Sequence, residues 1–199
     1  MSIQISVYAE ALPEDLEVRW REALAQHGFQ LELYPGFAVS SWQGGFVPMS
    51  LRMPESLAAA ERYGTDPILT GCELDIALVE PSEHDPAGLP PVVASLLSIA
   101  QVGVHFRSAT GRTVAEFRAL VLSAGAVAYA TDGALVDGQD EAYHVGENAL
   151  SYAIEAADRY EAMPDLRDEE WRLDPFNSWA EYELAIQTLL AQMDAQEPT

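Results

Sequence analysis

Any chemistry in this chain has to come from carboxylates. Thirty-two acidic residues stand against ten basic ones, and all ten are arginine. Glu73 and Asp75 are two residues apart in an apolar run, which puts both on one face of a strand. Two carboxylates placed this way can hold a magnesium ion, and with Asp137 they would suit a metal-dependent hydrolase. A solvated strand face produces the same pattern. His84 lies between Glu83 and Asp85 with no second histidine at ligand spacing. His105 and His144 can meet only if their strands pair, and ordinary polar histidines on a sheet are the simpler account. Asp137, Asp140 and Glu141 miss the spacing of a calcium loop. There is no Gly-x-Ser-x-Gly elbow, and Ser40-Ser41 has no base beside it in sequence. A carboxylate pair for glycoside hydrolysis stays open, because any two of the acids can meet in space. The absence of lysine removes P-loop, Schiff-base and lysine-base chemistry. No catalytic residue, metal or cofactor is assigned.

The distribution of charge carries more information than any motif. The chain has a net charge of −22. Residues 1–131 hold 15 acids and 7 arginines, whereas residues 132–199 hold 17 acids and only 3 arginines. A basic footprint for nucleic acid is therefore missing. Within the acidic third, Tyr143, Tyr152, Tyr160, Trp171, Phe176 and Trp179 are interleaved with carboxylates. Aromatic side chains supply contact area that can be desolvated, and acids steer and pair with arginine or lysine. The expected partner-binding residues are Asp137, Asp140, Glu141, Tyr143, Asp165, Asp168, Glu169, Glu170, Trp171 and Asp174, facing a basic protein. Two plainer accounts coexist with this one: acids that serve solubility, and aromatics that pin the last helices to the sheet.

The elements that must position these residues can be read from periodicity. Val102, Val104 and Phe106 alternate with Gly103, His105 and Arg107, as in a half-buried strand. Thr113 and Glu116 form a capping box, and the apolar run after them predicts a helix buried on most sides. Gly133 is expected to close that helix, and Ala134–Val136 to follow as a buried strand. Ile3, Ile5 and Val7, a helix from Pro13 to Gly28, and Phe29–Leu33 make a similar strand-helix-strand unit near the start. Phe37–Trp42 and Phe46–Arg52 look like a hairpin around Gly44-Gly45, with Pro48 marking an edge. A helix over Glu55–Tyr63, a strand over Leu74–Leu78, a loop over 81–90 and a helix over 91–99 follow. Ala142–Val145 should return as a hairpin strand, and Leu150–Ala157 as an amphipathic helix. Asp174-Pro175 should cap a last helix whose packed stripe is Trp179, Tyr182, Ile186, Leu189, Leu190 and Met193. The tail from Ala195 is expected to fray.

These elements predict an α+β fold: a mixed sheet of six to seven strands with β-α-β units covered by helices, and a helical C-terminal third. One domain is expected over 1–199, with a first half at 1–100, a central unit at 101–145 and an acidic part at 146–199. A chain of 21.7 kDa buries about 70% of its unfolded surface, enough for a core without disulfides. Cys72, the only cysteine, fits a reducing compartment as a small buried residue. The N-terminus lacks the pattern of a signal peptide, so a cytoplasmic protein without a membrane segment is expected.

With its small size, extreme acidity, α+β body and lack of a linear catalytic motif, the chain resembles the bacterial immunity proteins of interbacterial toxin systems. That resemblance implies a non-catalytic inhibitor that neutralises a basic toxin by plugging its active site with carboxylates. A structural or adaptor subunit is the duller alternative.

Overall fold

The computed structural model describes residues 2–79, 88–109 and 111–194. The expected α+β fold is what the chain adopts. The strands are β1 (Ile3–Ala9), β2 (Gln30–Leu33), β3 (Gly45–Arg52), β4 (Ile68–Leu78), β5 (Val102–Ser108), β6 (Ala134–Asp137), β7 (Ala142–Val145) and β8 (Asp174–Pro175). The helices are α1 (Leu16–Ala25), α2 (Ala60–Tyr63), α3 (Pro91–Ile99), α4 (Val114–Ala130), α5 (Glu147–Glu161) and α6 (Trp179–Asp194). The sheet order is β2-β3-β4-β5-β1-β6-β7, with β8 paired to the start of β4.

Among the described residues every strand pairing is antiparallel, which corrects the expectation of a mixed sheet. β5 and β6 do run the same way with α4 crossing between them, as the periodicity implied. However, β1 is inserted between them and pairs with both, Val7 lying opposite Val104 on one side and Leu135 on the other. The strand-helix-strand unit at the start is likewise spread out, with three strands between β1 and β2.

One face of the sheet is the main core. Ile5, Val7, Val47, Met49, Cys72, Leu74, Val104, Phe106 and Leu135 point into it and meet α1, α4 and α5. α4 runs across the middle and is buried from Val114 to Ala128 except at the partly buried Glu116. Its start has the expected reciprocal cap: the Glu116 amide donates to Thr113 Oγ1, and the Thr113 amide donates to the Glu116 carboxylate. Its end differs from expectation, because Asp132 and not Gly133 adopts the left-handed conformation. Gly133 is needed for a different reason: a Cβ there would sit 2.7 Å from the Tyr8 carbonyl oxygen. α4 and α5 approach closely at Gly125, where a Cβ would lie 2.5 Å from that of Ala153. Burial pushes the Cys72 thiol up to about 12, as expected for an inert core residue. On the opposite face α3 covers only the β1, β6 and β7 side, over a small cluster of Val93, Leu97 and Ala134.

Several local expectations fail for identifiable reasons. Residues 37–42 do not form a strand; Val39–Ser41 is a 3₁₀ turn, and the Glu17 carboxylate accepts from the Val39 amide. β3 therefore pairs with β2 and β4 and is not an edge. Pro48 is tolerated because its carbonyl takes the Tyr34 amide, so its nitrogen faces the point where β2 has already ended. The helix expected over 55–63 is reduced to Ala60–Tyr63. Asp174-Pro175 does not cap a helix; it forms β8 against Ile68 and Leu69. The loop containing Glu83, His84 and Asp85 and the tail from Ala195 lie outside the described residues.

Candidate binding surfaces

The sheet has one end at which most of the expected contact residues collect. β6 leaves the sheet there through Asp137, which pairs with Ile5 near the start of β1. α5 returns to that end, and the segment after it passes the start of α4 before β8 joins β4. The turn at 138–141 and the run 165–174 therefore share one end of the molecule.

The individual acids differ in what they are free to do. Asp137 is buried and fully engaged: Oδ1 accepts from the Gln139 and Asp140 amides, and Oδ2 from the Tyr152 hydroxyl at 2.9 Å. It closes the β6–β7 turn and presents no charge to a partner. Burial, and then this bond, raise the Tyr152 hydroxyl above its ordinary range. Asp140 is exposed and 3.5 Å from Arg159, while Glu141 is exposed in a left-handed turn position. Asp165, Asp168 and Glu169 are all exposed. Glu170 is committed to the Asp168–Trp171 turn, accepting from the Arg167 amide at 3.0 Å and from its guanidinium. That amide bond first, with the guanidinium adding to it, holds the Glu170 carboxyl below its usual value. Asp174 is exposed and 3.8 Å from Arg172.

The two aromatics of the expected set are both engaged within the chain. Tyr143 lies on β7 beneath α3, against the Val93, Leu97 and Ala134 cluster. Trp171 stands edge-on to Tyr63 at 5.7 Å and carries the Arg62 guanidinium 4.0 Å over its ring. It pins α2 to the segment after α5 while staying half-exposed.

Sequence reading missed a buried ionic cluster behind Trp171. Arg118, fully buried on α4, donates to Glu161 on α5 and, at 2.6 Å, to Asp158. The Tyr63 hydroxyl donates to the same Glu161 carboxylate. Arg118 Nη1 has no hydrogen-bond partner among the described residues. The available signal was Arg118 itself, because a charge on a helix buried all round has to find a partner. A cavity of about 290 Å³ opens beside the cluster, lined by Ala58, Arg62, Asp158, Glu161 and Trp171 among others.

The open face of the sheet holds Glu73, Asp75, His105 and Arg107. Asp75 lies 3.7 Å from Arg107. Glu73 and Asp75 point away from the main core, whereas Asp137 points towards it, two strands beyond β5. The carboxylates of the hydrolase reading thus lie on opposite faces. His105 and His144 are separated in the same way, with His144 stacked on Tyr152 at 4.4 Å on the helix-covered side. Ser6 Oγ and His105 Nδ1 are 2.9 Å apart, a contact between neighbouring strands that sequence order could not reveal. Ser6 is itself buried, so this hydroxyl is a poor candidate for meeting a substrate. Among the described residues no group of three or more His, Cys, Asp or Glu could hold a metal ion.

α6 departs furthest from expectation. Its first turn is anchored: the Trp179 and Tyr182 rings stand edge-on to Tyr34 at 5.5 and 6.0 Å, and the Tyr34 hydroxyl donates to Glu183. Beyond that the helix leaves the body. Leu184, Leu189, Leu190 and Met193 are between 53% and 63% exposed, and Ile186 is 39% exposed. The expected packed stripe is an open one. No described helix is long and apolar enough to cross a membrane.

A scan against protein-family models and searches of curated proteins and of solved structures found no match.

Proposed function

We propose that this chain is a non-catalytic binding protein of the inhibitor or immunity type. On this reading it engages a basic protein partner through its acidic end and occludes the partner's working surface. The observation that supports this most is the gathering of exposed carboxylates at one end of a rigid sheet. Glu141, Asp165 and Asp168 stand there exposed, as does Glu169 with the exposed Arg167 3.7 Å away, unlike the buried Asp137 and the turn-capping Glu170. Their field acts over a Debye length of about 8 Å at physiological salt, enough to orient an approaching cation-rich surface. Trp171, half-exposed beside them, offers an aromatic anchor of the kind that dominates binding energy at interfaces.

The test begins with a partner recovered from the source cells at low salt and measured for association rate as salt rises. The rate should fall by about tenfold or more between roughly 0.05 and 0.5 M salt, as steering is screened. Reversing Asp165, Asp168 and Glu169 together to arginine should slow association at low salt and change the melting temperature little, since none of the three holds the fold together. Glu170 is left alone because it caps its turn. A partner that associates equally fast with the reversed chain rules out this end as the binding surface.

A further inference from the structure

The free part of α6 carries ten consecutive residues, 184–193, without a single charge in a chain of net −22. All ten are exposed. Trp179, Tyr182, Ile186, Leu189 and Met193 recur at intervals of three and four, the spacing of a coiled-coil seam. Tyr34 occupies the first two positions of that seam within the chain. From Ile186 onward the seam has no cover among the described residues. Its flanks, Ala185 and Gln192 on one side and Leu190 on the other, are neutral.

We propose that residues 184–193 of α6 pair with the same segment of a second copy of this chain, antiparallel. Three physical points select that occupant. A seam of this period accepts knobs from a helix of matching period, and an identical helix supplies one. Flanks without charge give a basic protein or an anionic membrane surface nothing to pair with, whereas they are what two strongly acidic copies require in order to touch. The antiparallel arrangement sets Ile186 of each copy against Leu189 of the other, leaves Met193 at the outer edges of the contact, and keeps the two acidic bodies at opposite ends. The paired segment is about 15 Å long. It covers less than the roughly 1,200 Å² of a standard interface, so the association is weak and concentration-dependent.

Sedimentation equilibrium of the full chain from about 5 to 500 µM tests this, the range in which a weak complex forms. The mean mass should climb from 21.7 kDa towards twice that value, and should climb at lower concentration when salt is high, because screening reduces repulsion between the copies. Leu189→Asp should stay at the monomer mass throughout with unchanged helix content. Reversal of Asp165, Asp168 and Glu169 should not abolish pairing, which separates this contact from the acidic end. A wild-type chain that remains monomeric at every concentration and salt overturns the proposal, as does a Leu189→Asp chain that pairs like the wild type. Because Cys72 is buried, introduced thiols report orientation. A mixture of Ile186→Cys and Leu189→Cys chains should cross-link on oxidation far faster than Met193→Cys alone, and the reverse order overturns the antiparallel pairing.

Discussion

α4 and α6 are nearly equal in length, 17 and 16 residues, and both are dominated by leucine, alanine and other apolar side chains. One is the most enclosed of the described helices and the other the most open. Composition does not separate them; their connections do. α4 is held between β5 and β6 by short links and has α1 and α5 on either side. α6 follows a two-residue strand and, among the described residues, is anchored to the body near Tyr34. A helix becomes core when chain topology places elements around it, and a similar stripe without such neighbours becomes a contact surface.

The contrast can be broken most forcefully at Arg118. Glu161→Ala leaves a fully buried guanidinium with only the half-exposed Asp158, and should cost about 3–5 kcal/mol in urea unfolding. Arg118→Met, which removes the charge and keeps the volume, should cost clearly less than Glu161→Ala. If the order is inverted, the cluster is not what balances the charge. Next in size is a matched pair of truncations. Leu120→Ala, at a buried position on α4, should cost about 2–5 kcal/mol, whereas Leu190→Ala on α6 should stay within roughly 0.5 kcal/mol for dilute protein. Equal costs would mean that α6 is covered within a single chain.

The smallest effect concerns His144. Its partial burial against Tyr152 lowers its pKa from 6.5, with Glu155 pulling the other way. The folded state therefore favours the neutral ring. Its contribution to stability is complete above the unfolded value of 6.5 and is lost as pH falls through that value towards the lower folded one. His144→Phe should flatten this part of the curve of unfolding free energy against pH between about 7.5 and 5. Curves that stay parallel would show that His144 contributes no such dependence.

Much of the frame was legible from local signals. The Thr113–Glu116 box, the alternation over Val102–Arg107 and the return of Ala142–Val145 all depend on residues within a few positions of each other. What could not be read depends on distance along the chain. Pro48 suggests an edge until Tyr34 is seen to end β2 opposite it. The Arg118–Glu161 pair spans 43 positions, and Ser6–His105 spans 99. In the candidate site, the acidic bias of 137–174 was visible, but Asp137 and Glu170 could not be separated from Asp165, Asp168 and Glu169. That sorting depends on which backbone amides each carboxylate meets. Periodicity marks the stripe on α6 but is silent on whether anything lies over it, so a packed stripe and an open one read alike.

The position of β1 has a consequence for biogenesis. β1 is synthesised before the strands it pairs with, and it is the seam that joins two half-sheets, β2-β3-β4-β5 on one side and β6-β7 on the other. Its partners on the second side arrive only when residues 134–137 have been made. At translation speeds of roughly 5–20 residues per second that delay is on the order of ten seconds. During it Ile5 and Val7 border an unfilled slot, so the nascent chain stays vulnerable until β6 closes the sheet.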